Sequence, residues 1–317
     1  MARSNFKFSR YDTKYKNTKI KLCTSDLILQ IVTTVLLTVV LIVTLYPLIY
    51  IISCSFSDYI AINAGRVILY PVNFTLSGYE YVFRFKDIWI GYRNTFIYTV
   101  VGTALNILMS ILCAYPLSKR NFQGRRTYMN LFFITMFFGA GLIPHYLWNK
   151  QLGFINNPLV MIIPGAMGVY NMIILRTAFR TSIPGELFEA AKIDGASEFK
   201  SLFKIAVPLA KPTISVITLY YAVGHWNAYF NAMIYLNNKK FWPLQLFLRN
   251  ILTTTEGFKP SDAAGSTPSS GSSTQVIDNT LGAKYALIIV STVPVLILYA
   301  IVQKYFKKGV MVGAVKG

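Results

Sequence analysis

Six apolar stretches alternate with polar ones along the chain, at about 27–53, 94–117, 128–148, 158–179, 213–235 and 284–304. About 20 consecutive apolar residues suffice for a helix to cross a bilayer. The pattern therefore predicts an all-α polytopic membrane protein with six transmembrane helices. They form one membrane domain over 27–306, between a basic segment at 1–26 and a tail at 307–317. Pro47 predicts a kink or early stop near the end of the first span. Gly139, Gly141 and Pro144 loosen one end of the third, and Pro164, Gly165 and Gly168 one half of the fourth. Pro294 lies inside the sixth. Between the first two spans, Tyr79–Trp89 reads either as an amphipathic helix at the headgroup level or as a short loop with aromatic anchors.

The longest polar piece between two of these spans is Glu189–Pro208, within a loop drawn at 182–208. Ser182 can cap a helix, Pro184 suits its first turn, and Glu186 complements its positive end. Leu187, Ala190, Ala191 and Asp194 then follow at helical spacing, which predicts one small, smooth face. Gly195 stands where a helix would stop, since glycine accepts left-handed geometry at little cost. Ser197 can cap a second short helix running through Ile205, and Pro208 and Pro212 set the entry to the fifth span. The loop is thus a helix-turn-helix.

Only 14% of the 317 residues are charged and 54% are hydrophobic, against about 25% charged in soluble domains. The net charge of +19 would suggest nucleic acid in a soluble protein. Here the cations gather between spans, which marks orientation rather than a nucleic-acid surface. With both termini inside, the inner segments hold 21 of the 31 Lys and Arg residues. The helix-turn-helix loop then faces the cytoplasm, and the long 237–283 segment, with its Gly/Ser/Pro-rich Lys259–Thr274 stretch, faces outside. The first apolar run is long enough to span and has no small-residue cleavage site after it, so it reads as a retained helix. Cys23, Cys54 and Cys113 have no metal-binding or disulfide spacing and read as free thiols.

No phosphate-binding loop, metal motif or nucleophile elbow is present, so the chain has no visible means of holding ATP or a metal ion. No enzyme activity is expected of it. Glu189 can accept a bidentate bond from a partner's arginine, or it can pair with Lys192 on a solvated surface. The fifth span carries Tyr220, Tyr221, His225, Trp226, Asn227 and Asn231. Rings beside amides suit a sugar pathway, and they also suit hydrogen bonding between helices. His225 reads as a structural histidine or a proton relay.

The spacing Glu189-Ala190-Ala191, three residues, Gly195, nine residues, Ile205, one residue, Val207-Pro208 resembles the cytoplasmic signature loop of binding-protein-dependent ABC importer permeases, with Val207 where that family favours Leu. The resemblance runs from about Leu27 to Gly317. It includes Asn94, the Trp226-Asn227 pair, Pro243-Leu244-Gln245 and the GAVKG ending. The chain is similar to carbohydrate permeases of the maltose-transporter type, nearest those that travel with a lipoprotein binding protein and import oligosaccharides. That resemblance implies a bacterial cell-membrane location and a heterodimer with a second, homologous permease. It also implies two ATPase subunits that bind ATP and magnesium, and an extracellular sugar-binding protein. Glu189, Ala190, Ala191, Asp194, Gly195 and Pro208 match the ATPase-coupling positions. Tyr220, Tyr221, Trp226, Asn227 and Asn231 are the candidate substrate-pathway residues. The other class considered is an ion-coupled secondary carrier of a small polar solute. Its usual membrane-buried carboxylates are missing, since the six drawn spans contain no Asp or Glu.

Overall fold

A computed structural model describes residues 24–257 and 272–313, with side chains at 24–253 and 283–303. All regular structure in them is helical, in the order α1 (Thr24–Ser55), α2 (Tyr59–Asn63), α3 (Ser77–Arg84), α4 (Lys86–Ser118), α5 (Arg125–Phe137), α6 (Leu142–Gln151), α7 (Val169–Thr181), α8 (Gly185–Ile193), α9 (Glu198–Ser201), α10 (Val207–Leu209), α11 (Lys211–Trp226), α12 (Phe230–Tyr235), α13 (Leu244–Gly257) and α14 (Ser272–Gly313). Most of the basic N-terminal segment, Cys23, the Lys259–Gly271 part of the Gly/Ser-rich stretch and the last four residues of the GAVKG ending lie outside the described residues.

The chain divides into two compact units, residues 1–49 and residues 50–317. In the first, α1 presents exposed apolar side chains such as Leu29, Leu36 and Ile42. Three of its threonines are satisfied locally: Thr33, Thr38 and Thr44 each donate to the carbonyl four residues back, at 2.8 Å. A hydroxyl bonded this way costs little in lipid, where an unpaired one is expensive. Pro47 does not stop the helix, which continues to Ser55.

The second unit is organised around α4, which packs against α7, α11 and α13. Ile111, Ala114 and Leu117 of α4 meet Met172, Leu175 and Phe179 of α7 and Ile217 of α11 in one buried cluster. The same cluster takes in Ile183, Leu202, Ala206 and Ala210 from the loop between α7 and α11. That loop is therefore part of the core at its two ends.

Three of the drawn spans differ from single rods. Thr24–Ser55, Lys86–Ser118 and Ala283–Gln303 are long and apolar enough to cross a membrane unbroken. The third apolar stretch is α5 and α6, bent by 112° at a break where Gly141 has φ +81°. The fourth is a 3-10 turn (Pro158–Met161), an irregular passage and the 13-residue α7, which is too short to cross alone. Pro164, Gly165 and Gly168 sit in that passage, and proline and glycine break helices whatever the hydropathy. The fifth is approached through an 83° bend between Glu198–Leu209 and Lys211–Tyr235. Tyr79–Trp89 is also interrupted: α3 ends at Arg84 and α4 begins at Lys86. Val82 of α3 is buried against Ala283, Ala286 and Leu287 of α14, while Phe83 stays exposed.

Candidate functional site

The first helix of the signature loop starts from Pro184 rather than from Ser182. Ser182 does not cap α8; it closes α7, its N–H donating to the carbonyl of Ala178 at 2.9 Å. Because α7 runs on to Thr181, Ser182 is used as its last turn, and α8 starts from Pro184 with no side-chain cap.

The far end of α8 is built as expected. Gly195 has φ +73°, its N–H donates to Lys192 O at 3.1 Å, and Ala196 N–H donates to Ala191 O at 2.9 Å. These are the two bonds of a Schellman ending, and the left-handed residue they require is the glycine. Ser197 Oγ then accepts from Lys200 N–H at 3.3 Å and starts α9. After α9 the chain widens into a π-helical turn, Leu202–Ala206, immediately before Pro208. A proline lacks the N–H and crowds the carbonyl four residues back, so a widened turn relieves the helix there. Pro208 is thus part of the elbow into α11, away from α8.

The expected smooth face of α8 is split. Ala191 is buried and Phe188 packs onto the core cluster, which anchors one side of the helix. Glu189, Ala190, Asp194 and Gly195 are exposed on the other side, together with Leu187. Ile193, at 86% exposure, and Phe199, at 69%, extend that surface with apolar groups that nothing in the described residues covers. Glu189 takes part in neither of the ion pairs found among the described residues, so it does not pair with Lys192.

Beside this surface is a contact that sequence reasoning missed. Tyr115 Oη, near the end of α4, donates to Glu198 Oε2 at 2.8 Å, and Lys119 Nζ lies 3.7 Å from the same oxygen. The Lys119 ammonium also stands 3.4 Å above the Phe188 ring and 4.7 Å from that of Tyr115. Burial lowers the Lys119 pKa, against the opposing pull of Glu198. The available signals were a lysine in an acid-free loop and an acid just after the Ser197 cap. Nothing local connects them.

The fifth-span candidates divide in two. Tyr221 is buried: its hydroxyl meets Ser110 Oγ at 2.8 Å and accepts from Gly168 N–H at 2.9 Å. Trp226 is buried too and donates its indole N–H to Ser291 O at 3.0 Å. Both side chains tie helices together. Tyr220, Asn227 and Asn231 are exposed, Tyr220 at 52%. His225 Nε2 lies 2.6 Å from Asn106 Oδ1, while Asn106 Nδ2 donates to Gly165 O. The asparagine oxygen therefore faces an N–H, which places the proton on Nε2. His225 is a hydrogen-bonded connector between α11 and α4.

At the opposite end of α4, Asn94 Nδ2 donates to the carbonyls of Lys240 and Trp242, at 2.7 and 3.0 Å. Thr95 Oγ1 accepts from Leu244 N–H at 2.8 Å. These bonds fix the start of the 237–283 segment onto α4.

The model of the binding-protein-dependent transport system inner membrane component family matches residues 24–312. The polygalacturonan/rhamnogalacturonan transport system permease protein YtcP of Bacillus subtilis (strain 168) is 39% identical over 271 residues, covering 86% of this chain and 92% of that relative. Protein LplC of the same organism is 38% identical over 280 residues, covering 87% and 90%. Among solved structures, the chain resembles one from a bacterial ABC transporter involved in the import of the acidic polysaccharide alginate. The TM-score is 0.79 at 36% identity, with 90% of this chain and 99% of that chain covered.

Proposed function

Because the chain belongs to the family of binding-protein-dependent transport system inner membrane components, we propose that it is the permease subunit of an ATP-driven importer of an oligosaccharide. Its similarity to permeases named for polygalacturonan/rhamnogalacturonan transport and to a chain of an alginate importer supports a carbohydrate cargo. ATP and magnesium belong to separate ATPase subunits, two of them. A second, homologous permease completes the pathway, and an extracellular sugar-binding protein, a lipoprotein, delivers the cargo. Both termini lie in the cytoplasm of a bacterial cell, in keeping with the inner share of 21 among 31 cations.

The observation that carries this reading is the exposed side of α8. Glu189, Ala190, Asp194 and Gly195 stand clear of the core while Ala191 and Phe188 hold the same helix to it. A helix anchored on one side and open on the other can receive a partner and pass its movement inward. Small residues at its centre let that partner approach closely, and the Glu189 carboxylate is free to take an arginine. Leu187, Ile193 and Phe199 supply the apolar rim that an interface buries. Among the described residues no comparable arrangement supports an ion-coupled carrier.

The experiment is reconstitution. The chain, its neighbouring permease and the ATPase subunits are co-expressed, purified on a tag carried by this chain, and placed in proteoliposomes. Co-purification of the ATPase and sugar uptake dependent on both ATP and the binding protein are expected. Uptake driven by an ion gradient without the ATPase contradicts the reading.

A further inference from the structure

Resting on the sugar-import function proposed above, we infer that Arg249, Tyr229, Asn227 and Gln245 form a subsite for a carboxylate-bearing sugar, so that the cargo is an acidic oligosaccharide. The four residues come together from the end of α11 and the first turns of α13. The guanidinium carbon of Arg249 lies 5.8 Å from the centre of the Tyr229 ring. Gln245, one helical turn before Arg249, points its amide at Asn227, Nε2 to Oδ1 being 3.4 Å. Asn227 and Tyr229 are exposed, and Gln245 and Arg249 are half-buried.

Among the described residues no carboxylate pairs with Arg249. No Asp or Glu occurs between Glu198 and Glu256. Among the described residues the ion pairs are Arg84–Glu80 and Lys119–Glu198, and neither involves Arg249. A guanidinium stacked near an aromatic ring is held in place without losing its charge. Its planar fork matches a carboxylate, the tyrosine ring offers an apolar face to a sugar ring, and the two amides can serve hydroxyls as donors or acceptors. A neutral sugar would meet the guanidinium only through its hydroxyls, without the charge-assisted bidentate bond.

The subsite also opens onto a polar lane. Asn227 follows Tyr220 and Gly224 at helical spacing on the exposed side of α11. Gly224 leaves open space there, with no atom within 4 Å of where a Cβ would stand. The exposed side of α11 therefore adjoins the subsite.

The test uses the purified complex in detergent, with trigalacturonate and its fully methyl-esterified form as probes. The two share one sugar backbone, and the ester lacks the carboxylate charge. Wild type is expected to bind the acid at least about tenfold more tightly than the ester. Arg249→Gln should bring the two affinities together, Arg249→Lys should keep part of the difference, and Gln245→Ala should weaken both ligands alike. Thermal melting confirms that each variant is folded. No preference in wild type overturns the subsite, as does a preference that survives Arg249→Gln. So does a variant whose response to phosphatidylglycerol changes while its acid-to-ester ratio does not, which would make Arg249 a lipid contact. Co-purification of the ATPase is scored in the same preparations. Its loss in wild type counts against the proposed function, whereas loss of the acid preference alone counts only against the subsite.

Discussion

Tyr115 and Glu198 are 83 residues apart, yet the tyrosine hydroxyl donates to the glutamate carboxylate at 2.8 Å and joins the end of α4 to the signature loop. Tyr115 is 6% exposed and its ring meets both Phe179 and Phe188 edge-on, so its position is fixed by packing. Glu198 is thereby a positioning residue that holds α9 to α4. Tyr115→Phe keeps the packing and removes the bond; Glu198→Gln keeps the shape and weakens it. Each should cost about 0.5–1.5 kcal/mol of loop anchoring. The double variant should lose no more than the worse single one, since the two share one interaction. Melting of the complex, together with sugar imported per ATP hydrolysed, checks this. Additive losses would show that the two side chains act separately.

Gly102 is a packing requirement of the bond between α4 and α11. A Cβ at this position would stand 2.5 Å from Cε1 and Nε2 of His225. Gly102→Ala should displace the imidazole from Asn106 and destabilise the permease by about 1–3 kcal/mol. Adding His225→Ala should recover part of that loss by making room. A melting temperature unchanged in Gly102→Ala contradicts the assignment.

His225 itself should be dispensable for energy coupling. Its ring nitrogen is committed to Asn106 at 2.6 Å, and no carboxylate among the described residues is paired to it. His225→Gln keeps a donor near the same place, so most transport should remain and its pH profile should not move. A mutant whose uptake loses a proton dependence seen in wild type would revive the ion-coupled carrier.

Orientation can be read by labelling in right-side-out cells. Gln123 and Lys239 are both exposed, at opposite ends of α4. A cysteine at 239 should react with a membrane-impermeant maleimide and one at 123 should not. The reverse pattern would place the signature loop outside the cell.

Helix content, the polar loop and its glycine turn were all legible in the sequence, because each rests on local chemistry. Gly195 is where only left-handed backbone closes the helix, and Ser197 caps the helix it precedes. Ser182 misled because two helices compete for it and the longer one takes it. The breaks in the third and fourth spans were marked by Gly141 and Pro164, but hydropathy has no measure of backbone direction. Tyr220 and Tyr221 are equivalent in composition; only the rotation of α11 exposes the first and buries the second. The contact between Tyr115 and Glu198 depends on how α4 meets the loop, which no spacing along the chain encodes.

The central claim is that the exposed side of α8 is where an ATPase engages the permease, and Ala190→Trp tests it most directly. Ala190 is exposed at the middle of that side, so the indole disturbs nothing inside the chain. It would hold two packed surfaces apart, since interfaces tolerate little added volume. Gly195→Val serves as a second variant, because a β-branched residue is strained at φ +73°. The measurement is ATP hydrolysis in proteoliposomes stimulated by sugar-loaded binding protein. Ala190→Trp is predicted to insert and melt like wild type, Gly195→Val to insert but melt lower, and both to lose ATPase association or its stimulation. Variants that assemble and hydrolyse ATP like wild type would make this loop an ordinary connector and contradict the account.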